Sequence, residues 1–566
     1  MKTQKDNYNL KWNAKIAMRD GIKISANIYM PANKKPVPVI VSITPYIADN
    51  LHSRGSYFAQ NGYAYLAVDA RGRGNSEGEF TGFENGHDGH DIVEWAAKQP
   101  WCNSKVAMRG ASFLGGIQWR TLNEFPPHLN SIVPGAATFS GTVTPLMKNI
   151  FIMEEYQWWV GVAGNTPNDN LAEDDSFWIE KYKELYSKQL PYNQLDKLAG
   201  IPSEFFQTTL KHPTIDSYYE NNLFSKDDYK KIDIPILTIT GHYDDTQTAA
   251  LKHYKMHMKY GLTESIANHY VLIGPWDHGG VSTPSRNVGG LEFGKNSVLD
   301  LNNLHKEWFD WTLKNGKKPE FLKKKITYYV AGLNEWKYAD DFENISTEQT
   351  KFYLNSENAQ ANDVYNSGFL QSKMSDNSIP DEYIYDPLNV EKLLMGRDQE
   401  GDYLLDQTYV QNLNNDGLIY HSPVFEKDTE ITGFIVASLW IELNVPDTDF
   451  QVTIFEMTPK GEQIRIAQDF LRARYRESNQ EEKLIIAGEI NEYVFDDFAF
   501  FSRLISKGSR LRVLISSPNT WFFERNYNGG GVVAQESGKD AQTAHIKLHH
   551  GINYPSWLEL PIVSND

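Results

Sequence analysis

The stretch Lys105-Val-Ala-Met-Arg-Gly-Ala-Ser-Phe-Leu-Gly-Gly-Ile-Gln-Trp119 decides the fold of this chain. It begins as a short apolar strand, turns at glycine and continues as a helix. Ser112 lies at the turn, with Gly110 before it and Gly115 and Gly116 after it. Small neighbours are needed because the backbone of such a sharp turn is crowded and strained. The pattern predicts a nucleophile elbow, in which Ser112 stands at the edge of a sheet and faces the free N–H groups of the following helix.

A second serine fits the literal motif G-x-S-x-G better. It lies in Gly74-Asn-Ser76-Glu-Gly78, whereas the glycine that follows Ser112 comes one place late. An apolar strand precedes Ser76, but the residues after it, up to Gly82, do not open a helix. Structural context carries more weight than a literal match. We therefore predict that Ser112, and not Ser76, is the nucleophile.

Bulk composition limits the classes of function. The chain has 566 residues and a formal net charge of −18, from 73 acidic and 55 basic side chains. This length favours two or three domains, and this charge argues against nucleic-acid and anionic membrane partners. The single cysteine, Cys102, excludes an internal disulfide and a thiolate metal site. No run approaches the length of a membrane span, and residues 1–10 lack an apolar leader segment, so we expect a cytoplasmic protein.

The hydrophobic pattern changes twice along the chain. Up to about residue 350, apolar strands alternate with amphipathic helices, which predicts a mostly parallel sheet. This region is interrupted by an aromatic-rich helical stretch that resembles a lid. Beyond about residue 350, apolar and polar residues alternate as in half-buried strands, for example from Ala437 to Val445. We predict an α/β domain formed by residues 1–144 and 231–345, a helical cap at 145–230, and a β-sandwich at 346–566.

Two later strands of the predicted sheet are followed by acid–base residues. The strand ending at Gly241 is followed by His-Tyr-Asp244-Asp245, and the strand ending at Gly274 is followed by Pro-Trp-Asp-His278. The order serine, acid, histidine is that of α/β-hydrolases. We predict the triad Ser112, Asp244 and His278, with Asp245 as the alternative acid.

A pair of histidines has the spacing of a zinc-binding helix. His253 and His257 stand four residues apart, but no glutamate follows the first histidine as it does in zinc peptidases. We therefore predict no metal, and the serine chemistry requires no cofactor.

Taken together, the motifs resemble one family, which contains cocaine esterase, α-amino acid ester hydrolases and X-Pro dipeptidyl-peptidases. The motifs that carry this resemblance are Thr44-Pro-Tyr46, Asp69-Ala-Arg-Gly-Arg-Gly-Asn-Ser-Glu-Gly78, Glu94-Trp95, Gln99-Pro-Trp101, Gly110-x-Ser112-x-x-Gly115, Tyr243-Asp244, Gly274-Pro-Trp-x-His278, Pro446-Asp-Thr-Asp-Phe450, Leu471-Arg-Ala-Arg-Tyr-Arg-Glu-Ser478 and Tyr554-Pro-Ser-Trp-Leu-Glu-Leu-Pro561. The resemblance implies an α/β-hydrolase with an inserted helical cap and a C-terminal jelly roll. It also implies an oxyanion hole formed by the Phe113 N–H and the Tyr46 hydroxyl.

The chain departs from the family pattern near the predicted acid. Thr246 and Gln247 stand where the α-amino acid ester hydrolases carry a Glu-Asp pair that holds the substrate ammonium. Cocaine esterase has phenylalanine in place of Thr246, so neither known pocket is reproduced. We predict Thr246, together with Trp158 and Trp159 of the cap, as substrate-binding residues.

The leading hypothesis is a serine hydrolase that cleaves carboxylic esters or amides of small molecules through an acyl-enzyme. The alternative is an X-Pro dipeptidyl-peptidase, for which Glu154 and Glu155 are candidate ligands of the peptide N-terminus. A third hypothesis, a non-catalytic protein whose jelly roll binds a carbohydrate or a partner, conflicts with the intact triad order. The oligomeric state, including a homo-oligomer, is left open.

Overall fold

The computed structural model describes residues 8–563, except residues 34, 83–84, 167, 221–222, 358–359, 375, 377–378, 392–400, 407 and 409–414. Residues 1–7, which belong to the segment inspected for a leader, lie outside this description. The first part of the chain alternates strands and helices as predicted. Its elements are β1 (Tyr8–Ala17), β2 (Lys23–Pro31), β3 (Val37–Thr44), α1 (His52–Gln60), β4 (Ala64–Asp69), α2 (Gly86–Ala97), β5 (Cys102–Ala111), α3 (Phe113–Asn123) and β6 (Leu129–Gly135).

A short hairpin and seven helices follow β6. They are β7 (Leu146–Met147), β8 (Ile150–Phe151), α4 (Glu154–Val162), α5 (Asp169–Ala172), α6 (Asp175–Ser187), α7 (Leu195–Leu198), α8 (Glu204–Thr209), α9 (Ser217–Glu220) and α10 (Lys226–Tyr229). Their aromatic side chains form a core of their own, in which Trp178, Tyr182 and Tyr186 are buried. The Tyr186 hydroxyl donates to the Phe523 carbonyl of the C-terminal domain, so this insertion is fixed at both ends.

The sheet then resumes, and its remaining elements are β9 (Ile236–Tyr243), α11 (Gln247–Tyr260), α12 (Thr263–Ile266), β10 (His269–Asp277), β11 (Asn287–Val288), β12 (Leu291–Glu292), α13 (Leu301–Lys314), β13 (Ile326–Val330) and β14 (Glu335–Ala339). The strand order is β1-β2-β4-β3-β5-β6-β9-β10-β13-β14. From β4 to β13 all neighbouring strands are parallel. The carboxyl ends of these strands therefore meet at one rim of the sheet, where α/β proteins build their sites.

The rest of the described chain is all-β. Its strands are β15 (Glu348–Asn355), β16 (Gly368–Gln371), β17 (Asp381–Tyr385), β18 (Gly417–His421), β19 (Thr429–Gly433), β20 (Val436–Leu443), β21 (Asp449–Met457), β22 (Gln463–Arg472), β23 (Ile490–Phe495), β24 (Phe501–Ile505), β25 (Arg510–Ser516), β26 (Ala544–His549) and β27 (Trp557–Val563). They enclose a separate apolar core, which confirms the predicted C-terminal sandwich. The predicted domain limits near 144, 230 and 345 fall between these groups of elements and stay predictions. Across the described residues, no helix is long and apolar enough to cross a membrane.

Candidate active site

Ser112 lies alone between β5 and α3, at the turn that the sequence predicts. Its backbone has φ 61° and ψ −127°, a left-handed conformation that a residue with a side chain rarely adopts. The neighbouring glycines are required by space: a Cβ on Gly110 would lie 2.3 Å from the Leu114 Cβ, and one on Gly115 would lie 2.4 Å from the Gly135 carbonyl oxygen. The motif glycine therefore comes one place late, because α3 meets the end of β6 at position 115.

The predicted acid and base follow the ends of β9 and β10. The Nδ1 atom of His278 lies 2.9 Å from Oδ1 of Asp244. The buried Asp244 carboxylate also accepts hydrogen bonds from Thr240 Oγ1 (2.7 Å), Thr246 Oγ1 (2.8 Å) and the Thr246 N–H (3.1 Å). Because Asp244 occupies Nδ1, the other ring nitrogen of His278 is left for proton exchange.

A second carboxylate also approaches the histidine. Oδ1 of Asp245 lies 3.3 Å from His278 Nδ1, and its side chain is 36% exposed whereas that of Asp244 is fully buried. The shorter distance and the three further hydrogen bonds favour Asp244 as the orienting acid. Burial lowers the pKa of His278, but Asp245 and Asp244 outweigh it and the net pKa is raised. In the described part of the chain these three side chains are also the one group with donor atoms close enough, within 4.8 Å, to suggest a metal.

Asp245→Asn is expected to move the acidic limb of the kcat/KM profile to lower pH. The substitution removes a negative charge that raises the pKa of His278, so the imidazole loses its proton at a lower pH and the neutral base is available earlier. The pH dependence of ester hydrolysis is the measurement. An unchanged limb, or one at higher pH, would show that Asp245 does not act on His278.

The Tyr46 hydroxyl meets Ser112 from the end of β3. Tyr46 stands two residues beyond this strand, its hydroxyl accepts the Trp158 indole N–H at 3.0 Å, and it lines the same pocket as Ser112. Burial raises the pKa of Tyr46, so the phenol keeps the proton that it would donate. Phe113 is the first residue of α3, and its N–H has no partner within the helix. Both predicted oxyanion donors thus lie beside the predicted nucleophile.

The loop after β4 holds Tyr46 in place. Its Asp69 carboxylate accepts the Ala48 N–H at 2.7 Å, and the buried Arg73 donates to the Pro45 carbonyl at 2.7 Å. Ser76, the literal match, donates to the Asp69 carbonyl and accepts from the Ser25 N–H, each at 2.8 Å. Ser76 is buried in a structural role, and this loop acts as a support that sequence reasoning did not assign to it.

Ser112 opens into a pocket of 260 Å³. Of the predicted site residues, the pocket is lined by Tyr46, Ser112, Phe113, Trp158, Thr246 and His278. Trp159 does not line it; its ring stacks on Phe205 with centroids 4.1 Å apart. Glu154, Glu155 and Asp245 add carboxylates to the wall, and burial raises the pKa of Glu154 to about 7.

The histidine pair on α11 is structural. His253 bonds the Thr138 carbonyl oxygen at 3.0 Å and stacks on Trp119, whereas His257 faces His269 and Ser265. The two rings therefore point to different partners, and no zinc site forms from them.

The C-terminal domain supports the turn between β9 and α11 that contains Asp244. Gln247, the first residue of α11, accepts the Phe500 N–H at 2.6 Å and donates to the Phe500 carbonyl at 2.9 Å. Since Gln247 follows Asp244 by three residues, the sandwich holds the start of the helix that comes directly after the turn with the acid. This explains why a residue so close to the triad does not face substrate.

The fold and the site define a serine hydrolase of the α/β-hydrolase class. Residues 20–280 match the family profile described as X-Pro dipeptidyl-peptidase (S15 family), and residues 315–559 match the X-Pro dipeptidyl-peptidase C-terminal non-catalytic domain. Cocaine esterase of Rhodococcus sp. (strain MB1 Bresler) is 28% identical over 582 residues, which cover 98% of this chain and 99% of the esterase. The chain belongs to the family of serine hydrolases that contains cocaine esterase and the X-Pro dipeptidyl-peptidases.

Solved structures share the whole architecture. An aminopeptidase from a marine sediment Thaumarchaeota archaeon superimposes with a TM-score of 0.84 at 21% identity, covering 100% of this chain and 98% of its own. An α-amino acid ester hydrolase gives a TM-score of 0.84 at 19% identity, covering 98% of this chain and 97% of its own. These similarities establish a common fold, with a large mixed sheet and a C-terminal β-sandwich.

Proposed function

We propose that this chain hydrolyses carboxylic esters of small molecules, and amides of similar shape, through a Ser112 acyl-enzyme. Ser112 attacks the carbonyl carbon while His278 accepts its proton, and Asp244 stabilises the imidazolium. The Phe113 N–H and the Tyr46 hydroxyl stabilise the tetrahedral oxyanion. His278 then protonates the leaving atom, and water repeats the sequence to release the acid. The single cysteine is compatible with the cytoplasm as the proposed location.

One observation supports the proposal above the others. The serine in its strained turn, the histidine held by a buried carboxylate and the tyrosine hydroxyl all face the same 260 Å³ pocket. Part of the pocket wall is aromatic, with side chains from Phe113, Trp158, Phe205 and Phe522. A compact apolar or aromatic acyl group suits these walls.

A second candidate function, X-Pro dipeptidyl-peptidase activity, is favoured by the carboxylates of the same pocket. Glu154 and Glu155 begin α4, and Asp245 stands opposite them beside His278. Burial and the Asp245 charge raise the pKa of Glu154, which indicates carboxylates crowded into a recess. A substrate ammonium would relieve this repulsion.

The two functions are separated by a substrate panel. We expect turnover of 4-nitrophenyl esters of short and aromatic acids, and exclusive turnover of Ala-Pro-4-nitroanilide would overturn the esterase proposal. If the carboxylates bind an ammonium, Glu154→Gln raises KM for substrates with a free amino group and leaves KM for simple esters unchanged. Glu180→Gln, on the exposed face of α6, is the matched control.

Tyr46→Phe is expected to lower kcat by about 10²–10³, the usual effect of losing one oxyanion donor. The ring and its packing are kept, so the melting temperature and KM should change little. Stopped-flow turnover of an activated ester by the folded variant is the measurement. Wild-type kcat would remove Tyr46 from the oxyanion hole.

A further inference from the structure

The neighbouring tryptophans Trp158 and Trp159 differ in what they contact. The Trp158 indole N–H donates to the Tyr46 hydroxyl oxygen at 3.0 Å, and this hydrogen bond links the cap to the oxyanion hole. We propose that Trp158 is a positioning residue that orients and polarises the Tyr46 hydroxyl for the oxyanion. This inference rests on the proposed function.

The chemistry of the two groups fixes the direction of the hydrogen bond. An indole N–H can only donate, so the Tyr46 oxygen must accept, and the phenol proton must point elsewhere. The Tyr46 hydroxyl shares a pocket with Ser112, and the carbonyl oxygen of a substrate attacked by Ser112 becomes the oxyanion there. Accepting one hydrogen bond also makes the phenol a better donor of the next, because successive hydrogen bonds polarise one another.

The packing holds the indole in this position. The Trp158 ring stacks on Phe113, with centroids 6.4 Å apart and an interplanar angle of 29°, and meets Phe80 edge-on at 6.4 Å. The Trp159 ring stacks on Phe205 and Phe80. Trp159 therefore offers a matched control: an adjacent tryptophan of the same helix with no contact to Tyr46.

The test is a double-mutant cycle on kcat. Trp158→Phe is expected to lower kcat about five- to tenfold, the range of one neutral hydrogen bond, with little change in KM. In the Tyr46→Phe background the same substitution should have no further effect, because the hydroxyl that it orients is gone. Trp159→Phe should keep kcat near wild type.

Two results would overturn the inference: wild-type kcat for Trp158→Phe, or an equal loss in both backgrounds, which would indicate a general packing effect. Wild-type kcat for Tyr46→Phe would instead overturn the oxyanion assignment and this inference with it. If Trp158→Phe does not fold, benzothienylalanine at position 158 keeps the bicyclic ring and removes only the N–H. The double-mutant cycle on kcat is then measured with that variant in place of Trp158→Phe.

A larger cleft adjoins the Ser112 pocket. It encloses 1020 Å³ between α11 and the C-terminal sandwich. The residues that line both spaces are Val143, Met147, Asp245, His278 and Phe522. His278 therefore stands at the boundary, with the oxyanion donors on one side and the cleft on the other.

The α11 wall of this cleft is basic. Lys252, Lys255 and Lys259 lie on one face of the helix, at spacings of three and four residues. Lys252 donates to Thr142 Oγ1 at 2.7 Å, and the Lys255 ammonium lies 3.8 Å from the Phe434 ring centroid. Among the described residues, neither ammonium has a carboxylate within ion-pair distance, and burial lowers the pKa of both lysines.

The facing wall carries carboxylates that are partly engaged. Asp496 pairs with Lys148 at 3.1 Å, and the buried Asp469 accepts the N–H groups of Phe470 and Asp497. Asp497 attracts both lysines, and Asp496 attracts Lys255, but neither carboxylate lies within ion-pair distance of them, so both ammonium groups can take an incoming anion as a direct partner.

We infer that the leaving half of the substrate lies in this cleft and carries a carboxylate or similar anionic group that Lys252 and Lys255 recognise. The leaving half, and not the acyl half, is assigned to the cleft for a chemical reason. His278 gives its proton to the leaving atom, so the leaving half must lie on the side of the histidine. This inference also rests on the proposed function, since it assumes acyl transfer at Ser112.

Two acetate esters with one acyl group test it. 4-Acetoxybenzoate and its methyl ester differ in the charge and one methyl group of the leaving half and form the same acetyl-enzyme, so a difference in kcat/KM reports acylation. After each rate is normalised to hydrolysis by hydroxide, we expect at least a fivefold preference for the carboxylate. The double variant Lys252→Met/Lys255→Met should abolish it, whereas Lys226→Met, outside the cleft, should not.

The absence of a preference in the wild type, or a preference that survives in the double variant, would overturn the inference. A preference for a carboxylate in the acyl half, as in 4-nitrophenyl hydrogen succinate over 4-nitrophenyl butyrate, would place the acyl half of the substrate in the cleft instead of the leaving half. If neither acetate ester is hydrolysed, the proposed function fails, and it fails independently of the charge comparison.

Discussion

Replacing Ser112 by alanine is expected to abolish turnover while the protein remains folded. The loss should be roughly 10⁴–10⁶ in kcat, as for the removal of the nucleophile from other serine hydrolases. The hydroxyl is the only group that the substitution removes, and alanine keeps the same backbone requirement at φ 61°. Circular dichroism and the melting temperature should match those of the wild type, or exceed it slightly.

The matched control is Ser76→Ala. Ser76 bonds the Asp69 carbonyl oxygen and the Ser25 N–H, so its loss should lower the melting temperature and keep most of the activity. An inactive Ser76→Ala beside an active Ser112→Ala would place the nucleophile in the wrong loop. This pair of variants therefore tests the preference for structural context over the literal motif.

Asp244→Asn is expected to lower kcat by about 10⁴. The carboxylate accepts from His278 Nδ1, and an amide that donates there would hold the imidazole in the wrong tautomer. With the amide nitrogen in the place of Oδ1, Thr240 Oγ1 still donates to the remaining oxygen and the Thr246 hydroxyl can accept from the amide, whereas the Thr246 N–H loses its acceptor.

Asp245→Asn is the control for this variant, since it carries the same chemical change at 3.3 Å from the same nitrogen. We expect it to keep most of the maximal rate and to change mainly the pH profile. Equal losses for the two variants, or a larger loss for Asp245→Asn, would transfer the role of the acid to Asp245.

Much of the site could be predicted because it depends on local pattern and one rule of parallel sheets. Ser112, Asp244 and His278 each follow the last residue of a parallel strand, and such ends meet at one rim whatever lies between them in sequence. The glycines around Ser112 encode a turn that few other residues allow. Fold class and triad candidates therefore follow from the sequence without any knowledge of long-range contacts.

The remaining features depend on how separate elements dock, which no local pattern encodes. Trp158 and Trp159 are adjacent, so they point about 100° apart on α4, and the docking of the cap decides which of them faces the pocket. Arg73 illustrates the same limit. It donates to the Pro45 carbonyl oxygen across the loop, a contact that no local pattern around Arg73 predicts. The short distance between Asp245 and His278 likewise depends on the conformation of the turn between β9 and α11, which no local pattern encodes.

The central claim is that Ser112 is the nucleophile of an acyl-transfer site. Its most direct test is labelling of the wild-type protein with a fluorophosphonate, followed by intact mass and peptide mapping. We predict one adduct per chain, located on Ser112, with loss of esterase activity in proportion to labelling. An adduct on Ser76 or another residue, activity that survives complete labelling, or no adduct at all would contradict it, and the last result would favour a non-catalytic binding protein.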